Sequence, residues 1–386
     1  MFNFDSQDYY DPHKVTFDNI NHYKLLKENG DCVWDNKNNL WIISGYNNVK
    51  NGLKDYKRYT ANYGTTLETR RTDLYEKLPF HELDPPENIE IRRLINQVIS
   101  AKVDNDFKLK LKNNFKDELV PCLNKEIDVV NNLFLIFPMM VIFDLLGVEK
   151  KNIDFIKSQS KKFFDMSCEK DKQNARLEIA DFVYNNPPDL VMQIFNNEST
   201  SKKFTKKSIS YICVAILAAG FETVAAELTN LIYNCNRYTS EYYKVLRNPK
   251  LVPFFVEESL RYRYLSQFII RTSTCDHNFN GNKIKSGDTV MFVTGSAGFD
   301  SDYLQDRPGN FIIDRDISKH NFAFGYGPHV CPGQKIARSE MMAVLESIIE
   351  ISPKFKITSG SLKARADLSG MMWDSMNVEF LGQATA

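Results

Sequence analysis

The spacing of apolar residues predicts helices over much of the chain. From about residue 88 to residue 263, apolar side chains recur three or four positions apart, most regularly in residues 89–99, 107–123 and 141–164. This spacing places them on one face of a helix. The strongest element covers residues 207 to about 237 and is apolar on nearly every side around CVAILAAGF. Such a pattern is typical of a helix buried through the centre of a large fold.

Short strands are predicted at the edges of this helical region. Residues 40–43, 268–271, 289–293 and 378–381 form apolar runs bounded by Gly, Asp and Asn, a pattern that indicates strands. No internal repeat and no long low-complexity linker divides the chain,. We therefore predict a mainly α fold with small β-sheets, in one domain that spans residues 1–386.

Charge and composition narrow the range of partners. The 386 residues include 49 basic and 49 acidic side chains, and this balance gives no reason to expect nucleic acid or an anionic membrane as the main partner. The most apolar stretch, residues 133–148, contains Pro138 and Asp144 and is too short to span a bilayer,. It predicts a buried helix pair and no membrane anchor. Seven scattered cysteines without a CxxC pair argue against a disulfide scaffold or a structural zinc site, and they favour the reducing cytoplasm as the location,.

One cysteine lies in a glycine-rich segment that is a candidate functional site. Residues 324–333 read FGYGPHVCPG and precede an amphipathic helical run. Three glycines around Cys331 indicate a backbone in conformations that a Cβ would forbid. Pro332 suits the first turn of the following helix, which would place the sulfur at a helix N-terminus and favour the thiolate. A buried structural cysteine in a glycine-rich turn is the alternative.

The segment from Phe324 to Gly333 matches Phe-Gly-x-Gly-x-His-x-Cys-x-Gly at every defined position. This resembles the haem-binding signature of the cytochrome P450 family. The resemblance implies that Cys331 is the axial ligand of the haem iron, that Phe324 shields its sulfur, and that His329 contacts a haem propionate. It also places Gly325 in the haem-binding turn. Thiolate ligation favours cleavage of the O–O bond.

Two segments upstream agree with this resemblance. Glu258 and Arg261 match the family's Glu-x-x-Arg pair, and residues i and i+3 can form a charge-assisted hydrogen bond on one helical face,. In the apolar helix, AGFET (residues 219–223) matches the family's oxygen-binding pattern. The resemblance implies that Gly220 opens space for dioxygen, while Glu222 and Thr223 feed protons to it. A surface ion pair and a kinked core helix are the respective alternatives.

Other haem contacts follow from the resemblance alone. DPPE at residues 84–87 resembles the start of the family's helix C, which makes Arg92 a propionate ligand, and Arg271 matches a strand arginine that binds a propionate. Asn88 stands where bacterial members usually have a histidine, so its propionate contact is expected to be weaker or water-mediated. Asn321 replaces another frequent histidine, and Asn310 replaces a frequent arginine.

The function that the resemblance implies is a haem-thiolate monooxygenase that uses haem b and dioxygen to hydroxylate, epoxidise or oxidatively couple an organic substrate in bacterial secondary metabolism. Electrons from NAD(P)H would arrive through a ferredoxin or flavodoxin type partner. A small basic patch could dock that partner, although an ordinary solvated face explains it equally well. Its members are Arg93, Lys319, Lys335 and Arg338.

Two alternatives keep the same cofactor. A peroxide-using haem enzyme or a haem-binding module would not need the pair Glu222–Thr223. The segment at residues 164–189 is short for the family's lid helices, which predicts an open site suited to a bulky or carrier-tethered substrate. The predicted pocket residues are apolar, and core packing is the alternative for them. They are Leu217, Phe221, Phe268, Ile269, Met371 and Met372, with the loop at residues 62–83.

Overall fold

The structure is a computed structural model. It describes residues 20–65, 82–148, 150–152, 169–188, 205–263, 265–304, 307–315, 321–367 and 370–382, with isolated residues between 154 and 196. Most of the predicted pocket loop at residues 62–83, and Lys319 of the basic patch, lie outside the described residues.

Helices form most of the described chain, which confirms the predicted fold class. The long apolar element predicted at residues 207–237 is a single helix. The helices are α1 (Ile20–Glu28), α2 (Tyr46–Lys54), α3 (Glu87–Lys102), α4 (Asn105–Leu119), α5 (Ile136–Leu146), α6 (Glu169–Asn185), α7 (Lys206–Arg237), α8 (Thr239–Arg247), α9 (Val252–Tyr262), α10 (Thr294–Ala297) and α11 (Gln334–Ile351).

The helical run predicted at residues 141–164 is interrupted after Leu146, and the described residues beyond the break, at 150–152, 154–155, 158–159 and 162, are again helical. Helix α5 ends at Leu146 because Gly147 adopts a left-handed conformation, with φ of 74°, and its N–H bonds to the carbonyl of Phe143. The predicted helix pair at residues 133–148 is instead a π-helical turn, Val130–Phe134, followed by α5. Pro138 is the third residue of α5, where its missing N–H removes no bond from within that helix,.

The predicted strands are all present, within a residue or two of their expected bounds. The largest sheet has the order β1-β2-β8-β5-β3, and a smaller one has the order β4-β12-β9. The strands are β1 (Cys32–Asp35), β2 (Leu40–Ile43), β3 (Tyr59–Thr60), β4 (Glu126–Asp128), β5 (Ile269–Ser273), β6 (His277–Phe279), β7 (Asn282–Ile284), β8 (Thr289–Phe292), β9 (Lys354–Ile357), β10 (Lys363–Asp367), β11 (Gly370–Ser375) and β12 (Asn377–Leu381).

The chain divides into two compact units, each built from separate segments. Residues 1–92, 257–331 and 368–371 form the first unit, and residues 93–256, 332–367 and 372–386 form the second. The single domain expected from the sequence stays a prediction. Within the described residues, no helix has both the length and the hydrophobicity needed to cross a membrane.

The first unit is built around the five-stranded sheet. Side chains alternate between its two faces, as the strand period of two requires. Leu40 and Ile42 of β2 lie in the core that contains Tyr23 and Leu26 of α1. Ile43 of the same strand lies in the opposite core, which also contains residues of α2 and the segment before the glycine-rich loop. The sheet is therefore covered on both faces, and it holds that loop against one of them.

The second unit is built around α7, which packs against α5, α6 and α11. A buried hydrogen bond anchors this helix to β11, because Trp373 Nε1 donates to Asn230 Oδ1 at 3.0 Å. Helices α4 and α11 also pack together. The hydroxyl of Ser347 on α11 donates to the Lys112 carbonyl of α4 at 3.2 Å.

Candidate active site

The loop that carries Cys331 is closed by its own backbone. Gly325 and Gly327 adopt left-handed conformations, with φ of 72° and 74°. The N–H of Cys331 donates to the carbonyl of Phe324 at 2.8 Å. Helix α11 begins at Gln334, so the prediction that Pro332 lies in its first turn is wrong by two positions. The cysteine precedes the helix by three residues and is held by the loop.

Gly327 meets a neighbouring element too closely for any side chain. A Cβ at this position would lie 2.5 Å from the carbonyl oxygen of Leu53 in α2. At Gly325, a Cβ would have ordinary contacts, the nearest being 3.6 Å from Ile269 Cδ1. Both the positive φ angle and the close contact with α2 therefore require a glycine at Gly327.

The two residues before Cys331 are held by one short stretch of chain. His329 Nε2 lies 3.0 Å from Asp84 Oδ1, and His329 Nδ1 lies 3.1 Å from Asn88 Nδ2. Arg92 Nη1 donates to the carbonyl of Val330. The structure thus brings together Arg92, Asn88 and His329, three of the predicted haem-binding residues, beside Cys331.

Burial and charge set the protonation of this group. Burial raises the pKa of the Asp84 carboxyl, but hydrogen bonds from His329 and Thr60 outweigh it, so the pKa lies below its usual value. Burial lowers the pKa of His329, Asp84 opposes this, and the charges of Arg271 and Arg92 lower it further. These directions favour a carboxylate beside a neutral imidazole near pH 7. Asn88 Nδ2 can only donate, so Nδ1 accepts and Nε2–H donates to Asp84.

Arg271 is a buried cation on β5. Complete burial lowers the pKa of its guanidinium to about 10, with Asp84 opposing the shift and Arg92 adding to it. Its Nη1 donates to the carbonyl of Ile270 at 2.7 Å, and among the described residues no carboxylate lies within ion-pair distance of it. Burial also lowers the pKa of Arg92, which Cys331 opposes. Two buried guanidiniums therefore lie in the same unit as Cys331.

Glu258 and Arg261 on α9 form a buried two-bond pair. Arg261 Nε donates to Glu258 Oε2 at 2.7 Å, and Arg261 Nη2 donates to Glu258 Oε1 at 2.8 Å. The same guanidinium reaches the carbonyls of Gly298, Pro308 and Asn310. Glu258 in turn accepts from the N–H of Ile312 at 2.7 Å. The pair fixes the irregular segment that leads to the Cys331 loop.

In the second unit, α7 carries the predicted oxygen-binding residues. Thr223 Oγ1 donates to the carbonyl of Ala219 at 2.7 Å, and Glu222 is 5% exposed. A Cβ on Gly220 would lie 2.9 Å from Ile142 Cδ1 of α5. The missing side chain therefore allows α7 and α5 to pack closely. The expectation that Gly220 opens space for dioxygen stays a prediction.

Most of the predicted pocket residues that the structure describes are core residues. Phe268 belongs to the core on one face of the sheet, and Ile269 packs on the other. This placement favours core packing over pocket lining for both. Within the second unit, the side chains of three further candidates are fully or nearly fully buried: Leu217, Phe221 and Met372. The side chain of Met371 lies outside the described residues.

Sequence reasoning assigned no role to two residues that position this loop. Asp84 was only part of a motif; it lies three residues before α3, on which Asn88 and Arg92 share a helical face,. Asn321, treated only as a replaced histidine, donates through Nδ2 to the carbonyl of Glu257 at 3.1 Å and accepts from the N–H of Ala323 at 2.9 Å. It thereby fixes the chain just before Phe324.

Comparison with known proteins finds relatives of this chain. The family model for cytochrome P450 matches residues 236–358. Cytochrome P450(BM-1) of Priestia megaterium is 29% identical over 360 residues, which are 86% of each chain. The mycinamicin VIII C21 methyl hydroxylase of Micromonospora griseorubida is 26% identical over 343 residues, 84% of this chain and 86% of the relative.

Solved structures agree along nearly the whole chain. CYP109E1 from Bacillus megaterium in complex with corticosterone is 26% identical, with a TM-score of 0.81 over 94% of this chain and 98% of that one. A mutant of P450 EryK in complex with erythromycin B has a TM-score of 0.83 over 95% of this chain and 97% of that one, at 20% identity, which shows the fold. The chain belongs to the cytochrome P450 family and is a monooxygenase of that family. Its cofactor is haem b, with dioxygen as co-substrate and electrons from NAD(P)H through a partner.

The described residues fit this cofactor. Haem b carries two propionate carboxylates, and a buried guanidinium without a carboxylate partner needs such an anion. Arg271 meets that requirement, and Arg92 lies near Cys331 in the same unit. The cysteine thiol is partly exposed, and it follows a loop that leaves no room for a side chain at Gly327.

We expect Gly327→Ala to destabilise the protein more than Gly287→Ala. Both glycines have a positive φ, of 74° and 88°, but a Cβ on Gly287 would meet nothing within 4 Å. Gly287→Ala should therefore lower the free energy of unfolding only through backbone strain, by about 1–2 kcal/mol. Gly327→Ala should lower it by roughly 2 kcal/mol more, because its Cβ would clash with Leu53. Urea unfolding of the haem-bound protein measures both. Equal losses would show that α2 does not restrain the loop.

Arg261→Lys should lower the free energy of unfolding by about 3 kcal/mol, because lysine keeps the charge but cannot make the two parallel bonds to Glu258. The control is Lys110→Ala. It breaks the pair with Asp144, whose side chains are 53% and 56% exposed, and should cost less than about 1 kcal/mol. Urea unfolding monitored by circular dichroism compares them. Similar losses for the two variants would contradict a structural role for the buried pair.

Proposed function

We propose that Cys331 binds the haem iron as a thiolate, and that Phe324 and Gly325 form the turn that shields its sulfur. The observation that carries this proposal is the cluster around Cys331. A backbone-closed loop, two buried guanidiniums and a cysteine lie in one unit of the structure. When bound, haem supplies the iron that activates dioxygen. The chain supplies the sulfur ligand, cations for the propionates and exclusion of water.

Glu222 and Thr223 are proposed to hold and move protons for the reaction. The hydroxyl of Thr223 already donates to Ala219, so its oxygen has lone pairs left to accept a further hydrogen bond,. Glu222 is a carboxyl group in an apolar helix, one residue away along the chain. The family pattern AGFET supports the assignment, and it gives the two residues the roles of proton carrier and hydrogen-bond acceptor.

The proposed substrate is a bulky organic molecule of secondary metabolism. Two relatives support this class: one is named as a mycinamicin methyl hydroxylase, and the other was solved with corticosterone bound. The segment at residues 164–189, where α6 occupies Glu169–Asn185, is short for a lid. That shortness supports extending the proposal to substrates attached to a carrier. Soret shifts on titration with free and carrier-bound macrolides or steroids would test it.

Bacterial members of the family take electrons from ferredoxin-type partners. We propose such an acidic partner, or a flavodoxin, for this chain. Arg93 and Lys335 are exposed, and Arg338 is partly buried and donates to Gln334 Oε1 at 3.1 Å. Two exposed cations support docking through opposite charge, which predicts a rate of reduction that falls as salt rises.

The thiolate assignment is tested by the reduced, carbon monoxide-bound spectrum. We expect the wild type to show the band of a thiolate-ligated haem, and Cys331→Ser to lose it, because an oxygen ligand replaces sulfur. Cys275→Ser is the control, since Cys275 is an exposed cysteine. If Cys331→Ser kept the wild-type band, Cys331 would not be the ligand.

The proton-relay roles are tested by comparing Thr223→Ala with Thr229→Ala. Both hydroxyls donate to the carbonyl four residues earlier in α7, at 2.7 and 2.8 Å, so each change removes the same kind of hydrogen bond from the helix. Turnover with NAD(P)H and a redox partner should fall about 100-fold in Thr223→Ala, with more peroxide released, and stay within about twofold in Thr229→Ala.

Turnover with added peroxide separates the alternatives. A monooxygenase should be far faster with a redox partner than with peroxide, and Glu222→Gln should slow only the first reaction. Faster turnover with peroxide, unaffected by Glu222→Gln, would favour a peroxide-using enzyme. Oxidation of no bound ligand by either route would favour a haem-binding module.

A further inference from the structure

The face of α7 that carries Thr223 continues as a buried row of polar side chains. Glu227, Asn230 and Asn234 follow Thr223 at intervals of four, three and four residues, which keeps the row on one face of the helix,. These three side chains are 8%, 4% and 0% exposed. A carboxyl and two amides are costly to bury in an apolar helix unless they are hydrogen-bonded. The hydrogen bonds of this row therefore decide what it can do.

Trp373 of β11 fixes the orientation of the Asn230 amide. The indole Nε1 can only donate, and it lies 3.0 Å from Asn230 Oδ1, so the amide oxygen faces β11 and the amide nitrogen faces away from it,. That nitrogen donates to Glu227 Oε2 at 3.4 Å. The Glu227 carboxyl is thus oriented, through Asn230, by a strand residue that lies 143 positions beyond Asn230.

Glu227 extends from this contact toward Thr223. Helical side chains lean toward the N-terminus of their helix. Asn230 accordingly reaches back to Glu227, and Glu227 extends over the turn that contains Thr223. Residues i and i+4 have Cβ atoms about 5–6 Å apart, a separation that a carboxyl group and one water molecule can bridge. Glu222 lies on a different face, because one residue turns the helix by about 100°.

Thr223 is able to receive a proton when it gives one up. Its hydroxyl donates to the Ala219 carbonyl at 2.7 Å, and its oxygen keeps lone pairs for a donor,. When the hydroxyl turns from Ala219 and its proton leaves, the O–H proton of a protonated Glu227 replaces it on Thr223 Oγ1. The Glu227 carboxylate then takes a proton from solvent water. Both side chains return to their starting states, and one proton from water has been consumed for each proton delivered.

We propose that Glu227 is a second proton-holding residue of α7, which supplies Thr223 and is held in place by Asn230 and Trp373. This inference rests on the proposed function of Thr223. Asn230 and Trp373 are positioning residues, because they act on Thr223 only through Glu227. Thr223 then has two carboxyl groups to draw on, Glu222 beside it in the chain and Glu227 one turn further along its own face.

The first test observes the Glu227 carboxyl directly by infrared spectroscopy. Photolysis of carbon monoxide from the reduced holoprotein perturbs groups that are hydrogen-bonded toward the haem iron, and it needs no substrate. We expect the light-minus-dark spectrum of the wild type to contain a carboxyl band that shifts in D2O and is lost in Glu227→Gln. Trp373→Phe should shift this band without removing it, because Asn230 can then turn its amide.

The matched control for Trp373→Phe is Trp41→Phe. Trp41 Nε1 also donates to a side-chain oxygen, Asp288 Oδ2 at 3.0 Å, but it does so in the five-stranded sheet. This variant loses the same kind of donor and should leave the carboxyl band where it is in the wild type.

The second test measures proton delivery. With a saturating redox partner, consumption of NAD(P)H should be about tenfold slower in Glu227→Gln, the effect of one lost hydrogen bond. The ratio of the rates in H2O and D2O should rise, because proton transfer then limits the reaction. Glu227→Asp keeps a carboxyl and should recover part of the rate. The control is Glu241→Gln on α8, whose side chain is 12% exposed and pairs with Lys244; it should change neither the rate nor the ratio.

Two results would overturn the proposal. One is a Glu227→Gln spectrum that keeps every carboxyl band of the wild type. The other is slower turnover in Glu227→Gln with an unchanged isotope ratio, which would mean that Glu227 only packs α7. The proposed function fails on a separate result: if Thr223→Ala kept the wild-type turnover, Glu227 would have no relay to supply, whatever its infrared band showed.

Discussion

The hydrogen bond from Cys331 N–H to the Phe324 carbonyl is the constraint on which the site depends. It closes a loop that has one short 3-10 turn and no other regular structure. A metal ligand must be held within a fraction of an ångström to be useful. Two left-handed glycines let the backbone turn tightly enough to make this bond. Every other support of the loop acts by keeping this closed conformation in place.

Those supports come from elements that the sheet positions. Helix α2 packs on one face of the sheet and meets Gly327 through the Leu53 carbonyl. The buried pair Glu258–Arg261 fixes the irregular chain that leads to the loop. Arg261 donates to carbonyls of that chain, which follow it by 37 to 49 positions. Because the guanidinium satisfies several carbonyls at once, that segment can be buried without regular secondary structure.

The sequence alone predicted features that depend on local spacing. The period of 3.6 residues located α7 to within one residue at its start, and short apolar runs bounded by Gly, Asp and Asn located β2 and β8. Contacts between distant residues had no such signal. Asp84 and His329 are separated by 245 positions, and only the four-residue spacing of Asn88 and Arg92 on α3 indicated a shared face. The end of α5 was missed because Gly147 was treated as part of an apolar run.

Asn88 stands where bacterial members of the family usually have a histidine, and this difference changes the hydrogen bonds available to its neighbours. An asparagine at this position offers one amide nitrogen and one oxygen, and the nitrogen is committed to His329 Nδ1. Its Oδ1 is buried and has no donor among the described residues. A propionate cannot supply that donor, because a carboxylate only accepts. A water molecule can donate to Asn88 Oδ1 and to a propionate at the same time. The amide nitrogen of Asn88 therefore acts on His329, while its oxygen needs a donor such as water.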